Sequence, residues 1–225
     1  MYVINKNQQM KSIQIKNIEA LNSVTSIKEA IALLSNNCTY EAIDVLNWAS
    51  SFGHKPETKF AIACSDDSFF LHFLVVEESV KALFANDQES VWEDSCVEFF
   101  CMLPEQPFYY NFEFNCIGTC VATAREGREK NVRPFDADQL AQIERYASLG
   151  NQPFGEKHEK TAWEICVKIP FVLLGLDKKK LPKKLRANFY KCGDKTAIPH
   201  FVSWNPIQAK NPDFHLPEFF GEIYF

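Results

Sequence analysis

Residues 92–115 read WEDSCVEFFCMLPEQPFYYNFEFN. On either side of the Pro104-Glu105-Gln106-Pro107 linker, the segments Ser95–Leu103 and Phe108–Cys116 alternate in polarity, as half-buried strands do. The linker has turn chemistry, so the stretch predicts a β-hairpin. If Leu103 opposes Phe108, then Glu98 opposes Glu113, Phe100 opposes Asn111 and Met102 opposes Tyr109. Tyr110, Phe112 and Phe114 then face a core, while Tyr109, Asn111, Glu113, Asn115 and Glu98 share the other face.

The same alternation recurs along the chain. It predicts strands at Ala42–Trp48, Lys59–Cys64, Phe69–Glu77, Thr119–Arg125, Ile143–Leu149, Ala162–Ile169, Leu185–Cys192, Phe201–Asn205 and Gly221–Phe225. One helix is legible at residues 26–36. Ile27, Ala30, Ile31 and Leu34 share a face, and Ser26 and Glu29 have capping-box spacing. A short turn is expected at Pro170–Leu174 before Gly175, and residues 126–142 read as a long polar loop. Many short strands and one or two short helices predict an all-β, antiparallel β-sandwich of immunoglobulin-like or jelly-roll type. No composition break divides the chain, so residues 1–225 read as a single domain, with 1–40 as an N-terminal extension carrying the helix.

A chain of 225 residues builds its core without disulfides or metal. Its 20 Phe and 7 Tyr suit pleated surfaces. The net charge of −5 argues against a nucleic-acid partner. The longest apolar run, Phe69–Val76, is far short of the ~20 residues of a membrane helix, so no membrane partner is expected. Met1–Lys16 has no apolar core of a signal peptide, giving a cytoplasmic expectation, or an extracytoplasmic one if the chain is cropped. The pattern points to no oligomeric state. The eight cysteines lie within apolar segments and are expected as buried free thiols. Cys116 and Cys120 have no second ligand pair at zinc spacing. Phosphate-binding glycine loops, a G-x-S-x-G elbow and H-E-x-x-H are all absent, so the protein is not expected to be an enzyme.

Two carboxylates directly opposed across a sheet repel. A fold keeps them where a proton, a cation or a hydroxyl-rich ligand lies between them. Glu98 and Glu113 therefore read either as acids paired with Arg125 or Arg128, or as part of a polyol site. In the second reading carboxylates take hydrogen bonds from vicinal hydroxyls, and Trp92 offers a flat face to ring C–H groups. Trp48, Trp163 and Trp204 alternate with apolar neighbours and are expected in the core, as is His72.

The segments Asn47-Trp48, Lys55-Pro56, Lys59–Ile62, Val91–Phe100, Asn111–Asn115, Ser203–Pro206 and Phe214–Phe225 together resemble a family 9-like carbohydrate-binding module, of the DOMON-like β-sandwich type. The resemblance implies non-catalytic binding of a mono- or oligosaccharide between two aromatic rings. By position, Trp92 and Phe214 resemble the clamp, Glu98 its hydrogen-bonding acid and Asn211 the polar partner. The sequence departs from that pattern at Phe214, where better-known binders carry Trp, and at Glu113, where a basic residue is expected. The family also implies structural calcium, for which Asp66, Asp67 and Asp94 are the loop candidates. Three alternatives are a structural or protein-interaction module with a degenerate sugar site, a glycoside hydrolase using Glu98 and Glu113, and a haem domain using Met102 with a histidine.

Overall fold

The alternating segments become strands whose apolar sides meet between two sheets. Ten strands carry the sandwich: β1 (Glu57–Cys64), β2 (Ser68–Glu77), β3 (Cys96–Met102), β4 (Tyr109–Asn115), β5 (Cys120–Arg125), β6 (Glu144–Ala147), β7 (Thr161–Pro170), β8 (Lys184–Cys192), β9 (Phe201–Ser203) and β10 (Gly221–Tyr224). The computed structural model describes residues 10–225; residues 1–9 of the predicted extension lie outside the described residues. One sheet runs β10-β8-β3-β4-β5, with β9 also paired to β8. The other runs β6-β7-β2-β1. Pairing between these strands is antiparallel throughout. Ser12–Gln14 and Lys16–Asn17 add in parallel, one to each sheet. The architecture is the expected antiparallel β-sandwich, and Glu98 pairs with Glu113 in the predicted register.

Phenylalanines fill the space between the sheets. Phe60 of the second sheet stacks on Phe189 of the first with ring centroids 3.6 Å apart. Phe99 stacks on Phe189 at 5.1 Å, and Trp204 meets Phe60 and Phe189 edge-on. Each such ring contributes about 1.5–3 kcal/mol by leaving water. Trp48, Trp163 and Trp204 are buried, as their alternation implies. Gly221 lies where a Cβ would come 2.5 Å from the Trp204 ring, so only glycine fits beneath that indole.

Both outer faces are also covered. Helix α1 (Ile27–Asn37) lays Ile27, Ala30 and Leu34 on Ala63, Phe70 and Cys166 of the second sheet. On the first sheet, Phe100, Tyr109 and Tyr190 pack under Ile207, Phe214 and Phe220 of the chain that returns after β9. This second apolar layer forms one side of the cleft described below.

Three local expectations differ from the structure. The segment Ala42–Trp48 is not a continuous strand. Glu41–Ala42 pairs with β1, Val45 makes one bridge to Ser203, and the chain then turns. The reason is tethering. Asn47 Nδ2 donates to Ser203 Oγ (2.9 Å), Asn47 Oδ1 accepts from the Ile207 amide (2.7 Å), and Trp48 Nε1 donates to the Ala209 carbonyl (2.9 Å). At the start of α1, Ser26 makes no side-chain cap; Glu29 instead accepts from the amide and hydroxyl of Thr25 (2.9 and 2.8 Å). Within the predicted 126–142 loop, Arg133–Pro134 pairs with β5, and a five-residue helix, α2 (Ala137–Ala141), starts from an Asp136–Gln139 capping box.

Alternation on β8 also sends Lys191 inward, behind Phe189. Its ammonium is fully buried, 3.1 Å from a Glu77 carboxylate oxygen at the end of β2. The ammonium also donates to the Cys192 carbonyl (2.8 Å) and to His200 Nε2 (2.8 Å). His200 Nδ1 donates to the Ile198 carbonyl (2.8 Å). Burial, reinforced by Lys191, holds the His200 pKa well below the usual histidine value, which keeps the imidazole a neutral acceptor. Trp163 Nε1 occupies the other Glu77 oxygen at 2.6 Å. Removing one partner of such a pair leaves an uncompensated buried charge. Lys191→Ala is expected to lower unfolding free energy by about 3–5 kcal/mol in urea melts. A loss within error would mean the pair contributes nothing to holding the sheets together.

Candidate functional site

The outward faces of β3 and β4, with Arg125 at the end of β5, form the floor of a cleft of about 260 Å³. Glu98 and Glu113 face it from neighbouring strands, and Asp194 enters from the loop after β8. Trp92 stands on one side, in the 3-10 turn Val91–Glu93. Arg128, from the loop after β5, and Asp213–His215 supply other walls.

The turn that holds Trp92 is fixed at both ends. Val91 is buried, and the buried Asp94 accepts from the amides of Leu83 and Phe84 (2.9 and 3.0 Å) and from Asn115 Nδ2 (3.1 Å). The Trp92 carbonyl accepts from the Asp194 amide at 3.0 Å. The indole itself is 36 % exposed, one of few large apolar side chains open to solvent. Phe214 is different. It is 7 % exposed and stacked at 4.1 Å on Tyr190, whose hydroxyl donates to the Phe214 carbonyl (3.1 Å). One of its faces is thus occupied by protein.

Of the five site residues expected from sequence, Trp92, Glu98, Glu113 and Phe214 come together in the cleft. Asn211 does not line it; it is exposed on the same segment. Its neighbours Asp213 and His215 face the cleft instead. Asp213 Oδ1 accepts from Arg128 (2.9 and 3.2 Å) and from the His215 amide (2.9 Å). Arg125 and Arg128, read from sequence only as counter-ions, line the cleft too. Asp194 and His215 carried no periodic signal, since both lie in turns outside the strands; position within the Phe214–Phe225 block was the one pointer to His215.

Burial governs the charges. It pushes the Glu98 carboxyl well above the usual glutamate range, and the nearby Glu113 pushes it further; the Cys192 thiol, donating at 3.1 Å, opposes this. Burial also raises Glu113, against the pull of Arg125 and of Asn111 Nδ2, which donates at 2.8 Å. Arg125 Nε donates to Thr123 Oγ1 (2.8 Å), Thr123 donates to Asn111 Oδ1, and Asn111 donates to Glu113, so one polar chain crosses β5 and β4. Burial pushes the Asp194 carboxyl up to about 6. Burial and then the two arginines hold His215 at about 3, so it is neutral and accepts from the Tyr109 hydroxyl at 2.9 Å. Protonated Glu98 offers one donor and an acceptor, Glu113 and Asp194 offer acceptors, and Trp92 offers a ring face. That mixture suits a ligand dense in hydroxyls.

The proposed calcium acids do not form a cage. Asp67 takes hydroxyl hydrogen bonds from Ser65 and Ser68 (3.2 and 2.9 Å), Asp66 is exposed, and Asp94 is committed to backbone amides. Among the described residues, the group whose ligand atoms converge is Cys96, Glu98 and Cys192, beneath the cleft floor.

The sequence profile of carbohydrate-binding family 9 matches residues 28–225. Curated proteins give no match. Among solved structures, the chain is similar to a candidate carbohydrate-binding protein from Bacteroides uniformis ATCC 8492, at 34 % identity and a TM-score of 0.87, covering 96 % of this chain and 100 % of that one. The fold is also similar to that of a family 9 carbohydrate-binding module from Caldicellulosiruptor kristjanssonii. Its glucose complex has a TM-score of 0.59 at 13 % identity and 95 % coverage of both chains. Its cellotriose complex has a TM-score of 0.58 at 12 % identity, covering 95 % of this chain and 93 % of that one.

The raised carboxyls set a sign for pH. A folded carboxyl with a raised pKa holds a proton that the unfolded chain releases above about 4.3. Stability is therefore lost as pH rises from that value toward the folded pKa. Glu98→Gln removes this contribution. Between pH 5 and pH 8 the variant is expected to lose less unfolding free energy than the wild type, by about 1.4 kcal/mol for each unit of the Glu98 rise that falls within that window. His215 acts in the opposite sense but is common to both proteins and cancels. Parallel urea-stability curves would show that Glu98 is ionised in the fold.

Proposed function

The chain belongs to carbohydrate-binding family 9, and from that premise we propose that the cleft beside Trp92 binds a mono- or oligosaccharide without transforming it. The observation that carries this reading is a partly exposed indole on one side of a small polar cleft that two buried carboxyls also line. At about 260 Å³ the cleft is smaller than the roughly 300–1,000 Å³ of drug-sized sites, which favours a single sugar ring as the part enclosed. Trp92 covers one face of that ring. Phe214 supplies the opposite side as a fixed wall backed by Tyr190 rather than as a free plate. Glu98, Glu113 and Asp194 take the hydroxyl hydrogen bonds, with Asp213 in place of the exposed Asn211 on the returning segment.

Magnitudes bound the affinity. Covering one aromatic face removes roughly 80 Å² from water, or about 2 kcal/mol. The nearly buried Phe214 adds less. Several hydrogen bonds at about 1 kcal/mol each, offset by the cost of ordering, bring the total to a dissociation constant of roughly 0.1–1 mM.

Isothermal titration with a panel including glucose and cellotriose tests the reading. At least one sugar is expected to bind in that range. Trp92→Ala is expected to weaken it by about 2 kcal/mol, or roughly 30-fold, in protein shown by circular dichroism to be folded. Incubated glycosides are expected to remain intact. No heat with any sugar at ten times that concentration, in folded protein, would sink the assignment and favour a module whose sugar site has degenerated.

A further inference from the structure

Beneath the cleft floor the first sheet places two thiols and an acid on one face. Cys96 of β3 and Cys192 of β8 are direct register partners. Glu98 lies two residues beyond Cys96, on the same side of the strand. One donor atom from each of the three lies within 4.8 Å of the other two. The Cys192 thiol sits 3.1 Å from Glu98 Oε1. Cys38, Cys64, Cys96 and Cys116 direct their thiols at backbone carbonyls, so Cys192 is set apart by having a carboxyl partner.

We propose that Cys96, Cys192 and Glu98 form a binding site for a thiophilic divalent cation of the zinc type, reached through the cleft. The proposal shares Glu98 with the sugar reading and stands without it. Around zinc, at about 2.3 Å for sulfur and about 2.0–2.2 Å for oxygen, tetrahedral ligand atoms sit roughly 3.5–3.8 Å apart. The Cys192–Glu98 separation of 3.1 Å is close to that range and the remaining pairs lie within 4.8 Å, so small side-chain rotations would close the site. Two thiolates select zinc over calcium or magnesium, which prefer oxygen cages. Three protein ligands leave a fourth position. A water molecule from the cleft, which Glu98 lines, takes it.

The proton balance follows from the surroundings. Cation binding requires both thiols and the Glu98 carboxyl in their deprotonated forms. An incoming divalent cation displaces three protons to solvent, and the cluster passes from neutral to a charge of −1. Lys191 on β8 and Arg128 in the cleft wall favour that charge, while Glu113 on β4 and Asp194 oppose it. Affinity therefore rises with pH.

The test uses the full chain, reduced and freed of metal with a chelator. Zinc is titrated calorimetrically in two buffers of different ionisation enthalpy, and cobalt(II) is titrated spectroscopically. Expected are one ion per chain, net proton release, and the thiolate-to-cobalt charge-transfer band with intensified visible bands of tetrahedral cobalt. The double variant Cys96→Ser, Cys192→Ser is expected to lose affinity by about 100-fold or more, beyond what outer-shell changes cost. Cys38→Ser is expected to retain it. Should the double variant fail to fold, alkylation of the wild type gives the answer: zinc must slow modification of Cys96 and Cys192 and leave Cys38 unchanged. Absence of the cobalt band together with no zinc protection would overturn the proposal, as would air closure of a Cys96–Cys192 disulfide in protein that takes up no metal. Sugar titration with and without zinc separates the two readings. Sugar bound with no zinc uptake removes the cation site alone, and zinc bound with no sugar removes the sugar site alone.

Discussion

Glu98 opposite Glu113, in the middle of a sheet, is the constraint around which the rest of this face is arranged. Two ionised carboxylates at that separation and burial would oppose folding by more than ordinary side-chain contacts return. The structure answers with protons and donors rather than with a direct ion pair. Glu98 receives the Cys192 thiol. Glu113 receives Asn111, which is oriented through Thr123 by Arg125. The arginine thus acts on the acid through two intervening side chains and stays at the rim. A floor built this way holds polar groups ready for a ligand without neutralising them by direct contact.

The same strand organises both faces of the sheet. On β8, Tyr190 faces outward under Phe214, Lys191 faces inward to Glu77, and Cys192 faces outward to Glu98. Three consecutive residues therefore serve the aromatic wall, the inter-sheet ion pair and the cleft floor. Because a strand permits no slip without reversing every side chain, the buried Lys191–Glu77 pair also locks the register that brings Cys192 opposite Cys96. The inward polar cluster is a structural guarantee for the outward one.

The strands and the hairpin register were legible because the face turned between the sheets is apolar while the opposite face, though also covered, carries polar residues. Residues 110–115 carry this period of two plainly. What was hidden depends on loops. Asn47 and Trp48 alternate like strand residues yet act as tethers, since their side-chain hydrogen bonds hold the 203–209 segment. The Asp136–Gln139 capping box was present in the sequence, but the polar residues around it masked a five-residue helix. In the site, Glu98 and Glu113 followed from register, and Trp92 from its polar surroundings. Asn211 was carried over by position from the family resemblance, on a loop where position does not determine direction, and Asp213 is the residue that turns inward.

The cleft's composition also bears on the charge of its ligand. Its formal acids outnumber its bases, which alone would repel anions and attract cations. Glu98 and Glu113 are raised by burial, however, and Asp213 is engaged by Arg128 at 2.9 Å. His215 is neutral. Asp194, raised only to about 6, is largely ionised at neutral pH, so Arg125 set against Glu129 and Asp194 leaves the cleft mildly acidic. An anion would lose its hydration shell here against a lining of like charge. Under the proposed reading, a neutral polyol gives up only hydroxyl hydrogen bonds, which the acids of the floor return. The protons and donors that let two glutamates share a buried sheet face are then the same groups that such a ligand would use.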